Sequence, residues 1–96
     1  MAITITAILK AKTGKEELLR EQLIKVISPS RQEAGCIEYI LHASIENKNE
    51  FVFYETWQDE ESLLKHIESK HYQAYRQGTE DLIESRNVYR LEKIVQ

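Results

Sequence analysis

The segment Phe51 to Tyr75, FVFYETWQDEESLLKHIESKHYQAY, constrains this chain more than any other. It begins with apolar or aromatic residues in both parities, which predicts a strand covered on both faces. Phe51, Phe53, Glu55 and Trp57 share one face; Val52, Tyr54 and Thr56 share the other. Asp59 suits an N-cap, and Glu60 and Glu61 suit the positive end of the helix it opens. That helix carries Leu63, Leu64 and Ile67. A break near Ser69-Lys70 precedes a second helical piece with Tyr72, Tyr75, Thr79 and Leu82. A carboxyl group among strand aromatics, followed by two helical histidines, points to a pocket. Glu55, Trp57, His66, His71, Tyr72 and Tyr75 are its expected members, with Phe53 beside them.

The remaining elements frame that segment. Ile3 to Ala11 alternates β-branched residues and reads as a strand. Thr13, three residues ahead of Glu16, fits a capping box. A helix with Leu19, Leu23, Val26 and Ile27 on one stripe is expected to run to about Ala34 and stop at Gly35. Pro29 falls inside it and predicts a kink near Ser28. Cys36 to Ile45 reads as a second strand, Glu46 to Asn49 as a turn, and Asn87 to Val95 as a fourth strand.

The order is β-α-β-β-α-β, the ferredoxin-like α+β arrangement, with a four-stranded antiparallel sheet and helices on one face. Two helices can cover only one face of a four-stranded sheet. The third strand is apolar on both, and the second places Ile37, Tyr39, Leu41, Ala43 and Ile45 in one parity. The uncovered face then carries too much apolar area for water. A homodimer joined sheet to sheet is the expected solution.

Charge and composition exclude several classes. The 96 residues predict a single domain spanning 1–96. A net charge of −3, with no basic stripe, excludes nucleic acid as the expected partner. No segment has the length or apolarity of a membrane span, and Met1 to Ile5 lacks a secretory start. Cys36 is the single cysteine and has no disulfide partner, so a reducing cytoplasm is expected. With three glycines and no Gly-rich loop there is no nucleotide or flavin cradle, and no cofactor is expected. His66 and His71 lie five apart, off a shared helical face, and no third ligand has good spacing; no metal is expected.

Glu55, if it faces the helices, has a disfavoured charge and a raised pKa. It is then either a general base for a phenol or enol, or a buried hydrogen-bonding residue that fixes geometry. Trp57 is a pocket wall or ordinary core. His66, at the margin of its helix stripe, is within reach of Glu55 as a proton carrier, or is a surface histidine. His71 and Tyr75 share a helix face and border the pocket mouth, or cap and pack. Cys36 reads as a small buried hydrophobe and His42 as a strand residue without a partner.

Gly14, the run Arg31-Gln32-Glu33-Ala34-Gly35-Cys36, Tyr39, and Phe53-Tyr54-Glu55-Thr56-Trp57 with His66 and His71 resemble the antibiotic biosynthesis monooxygenase family. The resemblance covers nearly the whole chain. It implies a dimeric α+β barrel with one pocket per subunit and, for some members, cofactor-free oxygenation of quinols and anthrones. It makes Glu55, His66 and Trp57 the candidate catalytic residues, and Phe53, His71, Tyr72 and Tyr75 the candidate substrate contacts. The implied substrate is a planar phenolic or quinone-like small molecule. The autoinducer-2-degrading isomerases are also similar, through His71-Tyr72, so an isomerase of a small phosphorylated keto-sugar is the alternative. A ligand-binding dimer without turnover is the third reading. The haem-degrading relatives carry an Asn on the first strand where this chain has Ala7, so the resemblance does not extend to haem chemistry.

Overall fold

The computed structural model describes residues 1–95. The elements are β1 Ile3–Ala11, α1 Glu16–Lys25, α2 Ile27–Arg31, β2 Cys36–Ala43, β3 Glu50–Trp57, α3 Glu60–Glu68, α4 Lys70–Thr79 and β4 Ile83–Leu91. The four strands form one antiparallel sheet in the order β2-β3-β1-β4. This is the ferredoxin-like α+β fold, with the helices over one face.

Strand alternation decides what the helices cover. Across the inner face run the rows Tyr39–Glu55–Ile5–Arg90, Leu41–Phe53–Ala7–Val88 and Ala43–Phe51–Leu9–Arg86. Leu19 and Leu23 of α1, Val26, Leu63 of α3 and Tyr75 of α4 close over the central strands. Each buried Leu, Phe or Tyr contributes roughly 1.5–3 kcal/mol of apolar transfer energy, which makes this layer the core of the fold. The outer face carries Thr4, Thr6, Ile8, Val52, Tyr54 and Thr56 from the central strands.

Several expected boundaries move, each for a local reason. The capping box does not form. Gly14 takes a positive φ of 83°, so the helix starts two residues later, with Lys15 at the cap. Glu16 instead accepts the Gly14 N–H at 2.9 Å. The first helix is two helices. The break falls at Val26, and Pro29 lies in the first turn of α2, where its missing N–H has no partner to lose. Helix α2 ends at Arg31, before Gly35. Strand β2 stops at Ala43, leaving Ile45 in the turn at 96% exposure. Ile37 does not share the face of Tyr39, because the β2–β3 register shifts between Cys36 and Glu38; it is 57% exposed. Strand β4 begins at Ile83 and ends at Leu91, earlier at both ends than the expected Asn87 to Val95.

The helix caps follow the sequence more closely. Asp59 accepts the Ser62 N–H at 2.8 Å. Ser69, extended at ψ 154°, ends α3 and caps α4 by accepting the Tyr72 N–H at 3.2 Å. That corner turns α4 back over the sheet. Gly35 serves packing rather than helix termination. A Cβ at this position would overlap the Ser62 side chain of α3, and its carbonyl accepts the Gln58 N–H at 2.8 Å. We predict that Gly35→Ala destabilises the fold by about 1–3 kcal/mol through overpacking. Urea denaturation checks this; unchanged stability would show that α3 yields freely.

Candidate active site

Glu55 sits at the centre of the inner face, 6% exposed, between Tyr39 on β2 and Ile5 on β1. Two residues on, Trp57 shares its face and donates its indole N–H to Glu55 Oε1 at 2.9 Å. Trp57 is fully buried and packs on the His66 ring with centroids 4.4 Å apart. Burial pushes the Glu55 carboxyl up to about 7, against the pull of the Trp57 hydrogen bond and of the Arg86 charge.

His66 projects from α3 into the same layer and is 1% exposed. Its Nε2 lies 4.0 Å from Glu55 Oε1 and has no hydrogen-bond partner. Its Nδ1 meets Glu33 Oε2 at 2.7 Å. Burial holds the ring below the usual imidazole range, and Glu33 partly offsets this. His71 Nε2 reaches the same Glu33 oxygen, also at 2.7 Å. Their sequence spacing of five residues does not separate the two histidines, because the Ser69 corner breaks the helix between them. The ring centroids are 5.9 Å apart.

A cavity of about 100 Å³ opens beside Glu55 and His66. Tyr72 and Tyr75 of α4 wall one side, Ile5 and Ala7 of β1 the floor, and Arg86 and Arg90 of β4 another side. Arg86 Nη2 donates to the Tyr72 hydroxyl at 2.9 Å, while its Nε is buried without a partner. Arg90 is engaged by Glu60.

The expected residues thus divide. Glu55, His66, Tyr72 and Tyr75 line one cavity. Trp57 is not a wall but a buried support for Glu55 and His66. Phe53 is core, 1% exposed, against Tyr39 at 5.1 Å and Tyr75 at 6.1 Å. His71 faces Glu33 rather than the cavity. Two residues were not anticipated. Arg86 precedes the expected start of the fourth strand at Asn87, whereas β4 begins at Ile83 and carries Arg86 on its inner face. Glu33 has no signal in the sequence, since it meets histidines 33 and 38 residues away. It is also the third donor that histidine spacing alone did not supply: Glu33, His66 and His71 place three donor atoms within 4.8 Å of one another. The two 2.7 Å contacts to one oxygen have hydrogen-bond length, and the set is a hydrogen-bonded cluster as it stands. Cys36 is half-buried, and burial with Glu33 and Glu55 nearby pushes its thiol up to about 11, so it is a poor nucleophile.

The sequence model described as antibiotic biosynthesis monooxygenase matches residues 2–78. The chain belongs to the antibiotic biosynthesis monooxygenase family. YcnE of Bacillus subtilis, which carries a provisional monooxygenase name, is 32% identical over 73 residues, covering 76% of this chain and 77% of its own. The uncharacterized protein sll1783 of Synechocystis is 28% identical over 81 residues, or 84% of this chain; the match spans only 55% of the relative. PA3566 of Pseudomonas aeruginosa superposes with a TM-score of 0.94 at 30% identity, covering 98% of this chain and 95% of that one. Within this family member, Glu33, Glu55, His66 and Tyr75 lie inside the matched stretch, and Arg86 lies beyond it.

The raised Glu55 carboxyl has a stability consequence. The folded chain keeps the Glu55 proton up to about pH 7, whereas the unfolded chain releases it near 4.5. Between these values the native state binds more protons, so stability falls as pH rises. The burial of the ionised form costs about 3 kcal/mol above that window. We predict that Glu55→Gln gains thermal stability over the parent progressively from about pH 5 to 8. A pH-independent difference in melting temperature would contradict the raised carboxyl.

Proposed function

We propose that this chain is a cofactor-independent monooxygenase of a small planar phenol or quinol, working as a homodimer with Glu55 as its general base. The observation that carries the reading is the poised carboxyl of Glu55, pushed up to about 7 at the wall of a cavity. Its acceptor oxygens, the free Nε2 of His66 and the Arg86 guanidinium suit a substrate hydroxyl that becomes an anion. Tyr72 and Tyr75 suit a flat ring. A cavity of about 100 Å³ favours one ring over a fused polycycle.

The reaction takes its electrons from the substrate. Glu55 removes a hydroxyl proton, and the electron-rich anion passes one electron to O2. Recombination forms a carbon–oxygen bond. Loss of water from the resulting hydroperoxide leaves the oxidised carbonyl product, with one oxygen retained and one leaving as water. The protein supplies the base, orientation and partial exclusion of water.

The isomerase of a phosphorylated keto-sugar draws support from the two arginines at the cavity wall. Lys65, Lys70 and Arg76, basic residues of α3 and α4 that could hold a phosphate, do not line the cavity. Arg90 is also committed to Glu60, which leaves Arg86 as one cation for one phenolate-sized charge. A ligand-binding dimer without turnover would have no need of a strongly perturbed carboxyl.

Dimerisation has its own support. Family members commonly form dimers. Here Ile40, Tyr54, Thr6 and Tyr89 form one row across the outer face, and Ile40, Tyr54, Tyr89 and Leu91 are exposed. The face packed on a second copy would bury more than roughly 1,000 Å² in total. Among the described residues, no helix is long and apolar enough to cross a membrane.

Oxygen uptake with a panel of single-ring quinols tests the catalytic reading. Glu55→Gln is expected to lower turnover by about 10²- to 10⁴-fold while the chain stays folded. Trp57→Phe removes a hydrogen bond that favours ionised Glu55, so it should move the acid-side, ascending limb of the pH–rate profile to higher pH and leave KM largely unchanged. Full activity in Glu55→Gln would rule out the base. Sedimentation is expected to give a dimer at micromolar concentration; a stable monomer would remove the assembly proposal.

A further inference from the structure

We propose that Glu33 is a positioning residue that fixes the tautomer of His66 and holds its charged form, so that His66 serves as the proton store for Glu55. This deepens the general-base reading of Glu55 and rests on it. The geometry assigns each atom. Glu33 Oε2 accepts from His66 at 2.7 Å, so the ring carries its proton on Nδ1. A neutral ring then has a lone pair on Nε2. That atom is buried, has no partner, and stands 4.0 Å from Glu55 Oε1. A buried acceptor without a donor is costly unless something fills it. Protonated Glu55 is the donor in range, once a movement of about 1 Å closes the gap.

The alternatives around the carboxyl are few. Among the described residues, Trp57 is the hydrogen-bond partner of Glu55, and an indole N–H cannot accept a proton. The groups that face the His66 ring are Glu33 from the α2–β2 connection, Tyr39 from β2, Glu55 and Trp57 from β3, and His71 and Tyr72 from α4. Of these, Glu33 alone carries a counter-charge at hydrogen-bond distance. It is itself anchored. His71 donates to the same oxygen from the other side, at 2.7 Å. The side chains of His66, Glu33 and His71 are 1%, 17% and 24% exposed, so the ring is sealed while its counter-ion touches solvent.

The proton balance is closed. Glu55 takes the substrate proton and passes it to His66 Nε2. The ring becomes an imidazolium, with Nδ1–H still held by the Glu33 carboxylate. The same proton returns through Glu55 when the reduced oxygen leaves as water. No proton crosses to solvent, and the ring ends in its starting tautomer. The geometry parallels a carboxylate behind a catalytic histidine, with Glu55 rather than a hydroxyl in front.

Two measurements separate this proposal from the oxygenase reading. The first needs no substrate. Long-range ¹H–¹⁵N NMR of the intact chain is expected to show His66 as the Nδ1–H tautomer. In Glu33→Ala the proton should move to Nε2, where Glu55 remains as acceptor. In Glu33→Gln the amide oxygen still accepts, so the tautomer should persist while the imidazolium forms only at lower pH. An Nε2–H ring in the parent chain, or a tautomer and titration unmoved in both variants, would overturn the proposal whatever the activity. The second uses oxygen uptake with the quinol panel. With an active parent, Glu33→Gln should lower kcat by about 10- to 100-fold at constant KM and displace the pH–rate profile. Unchanged kcat and profile would overturn the role of Glu33 while leaving Glu55 as base. A parent that consumes no oxygen would count against the oxygenase reading alone, and the NMR result would then decide the role of Glu33.

Discussion

A carboxyl group placed under a helix layer is the constraint around which this molecule is arranged. Glu55 lies on the inner face of a central strand, where an uncompensated charge is expensive. One strong hydrogen bond from Trp57, a distant guanidinium from Arg86 and a proton retained to about pH 7 make its burial tolerable. Removing the carboxyl would leave a more stable and less interesting protein. Retaining it gives the inner layer an acid–base group held away from bulk water, beside a cavity.

The same layer explains why the aromatics are where they are. Trp57 and Tyr39 pack against His66, with centroids 4.4 Å and 5.5 Å away, and Tyr72 closes from α4 at 5.0 Å. The ring therefore has little room to turn, and its two nitrogens are committed to opposite sides. One faces Glu33 at the rim and the other faces Glu55 in the interior. The short corner at Ser69 is what makes this possible. By ending α3 and starting α4 in a new direction, it brings His71 to the same carboxylate that His66 uses. An uninterrupted helix would have sent the two histidines to different faces.

Family membership and site chemistry stand on different footings here. The match over residues 2–78 and the superposition on PA3566 concern the fold and its lineage. The proposed chemistry rests on Glu55, His66 and Arg86 themselves, because one fold can host many reactions. The proposed substrate, small, flat and able to become an anion, follows from the size and charge of the cavity.

The sequence by itself determined the order of elements, the shared face of Phe51, Phe53, Glu55 and Trp57, the Asp59 cap, the break near Ser69, and the candidacy of Glu55 and His66. These are short-range properties. A period of two fixes strand faces, and a cap needs a side chain within three residues. Tertiary structure alone decided the rest. It showed Trp57 and Phe53 to be buried support rather than cavity wall, because wall and core have the same composition and differ only in what lies behind them. It moved Ile37 off the face of Tyr39 through a register shift that no alternation encodes. It placed Arg86 in the cavity, since the start of an exposed edge strand has weak periodicity. It brought Glu33 to His66 and His71, because a contact closed across more than thirty residues is set by how helices pack on a sheet, and spacing along the chain carries no trace of it.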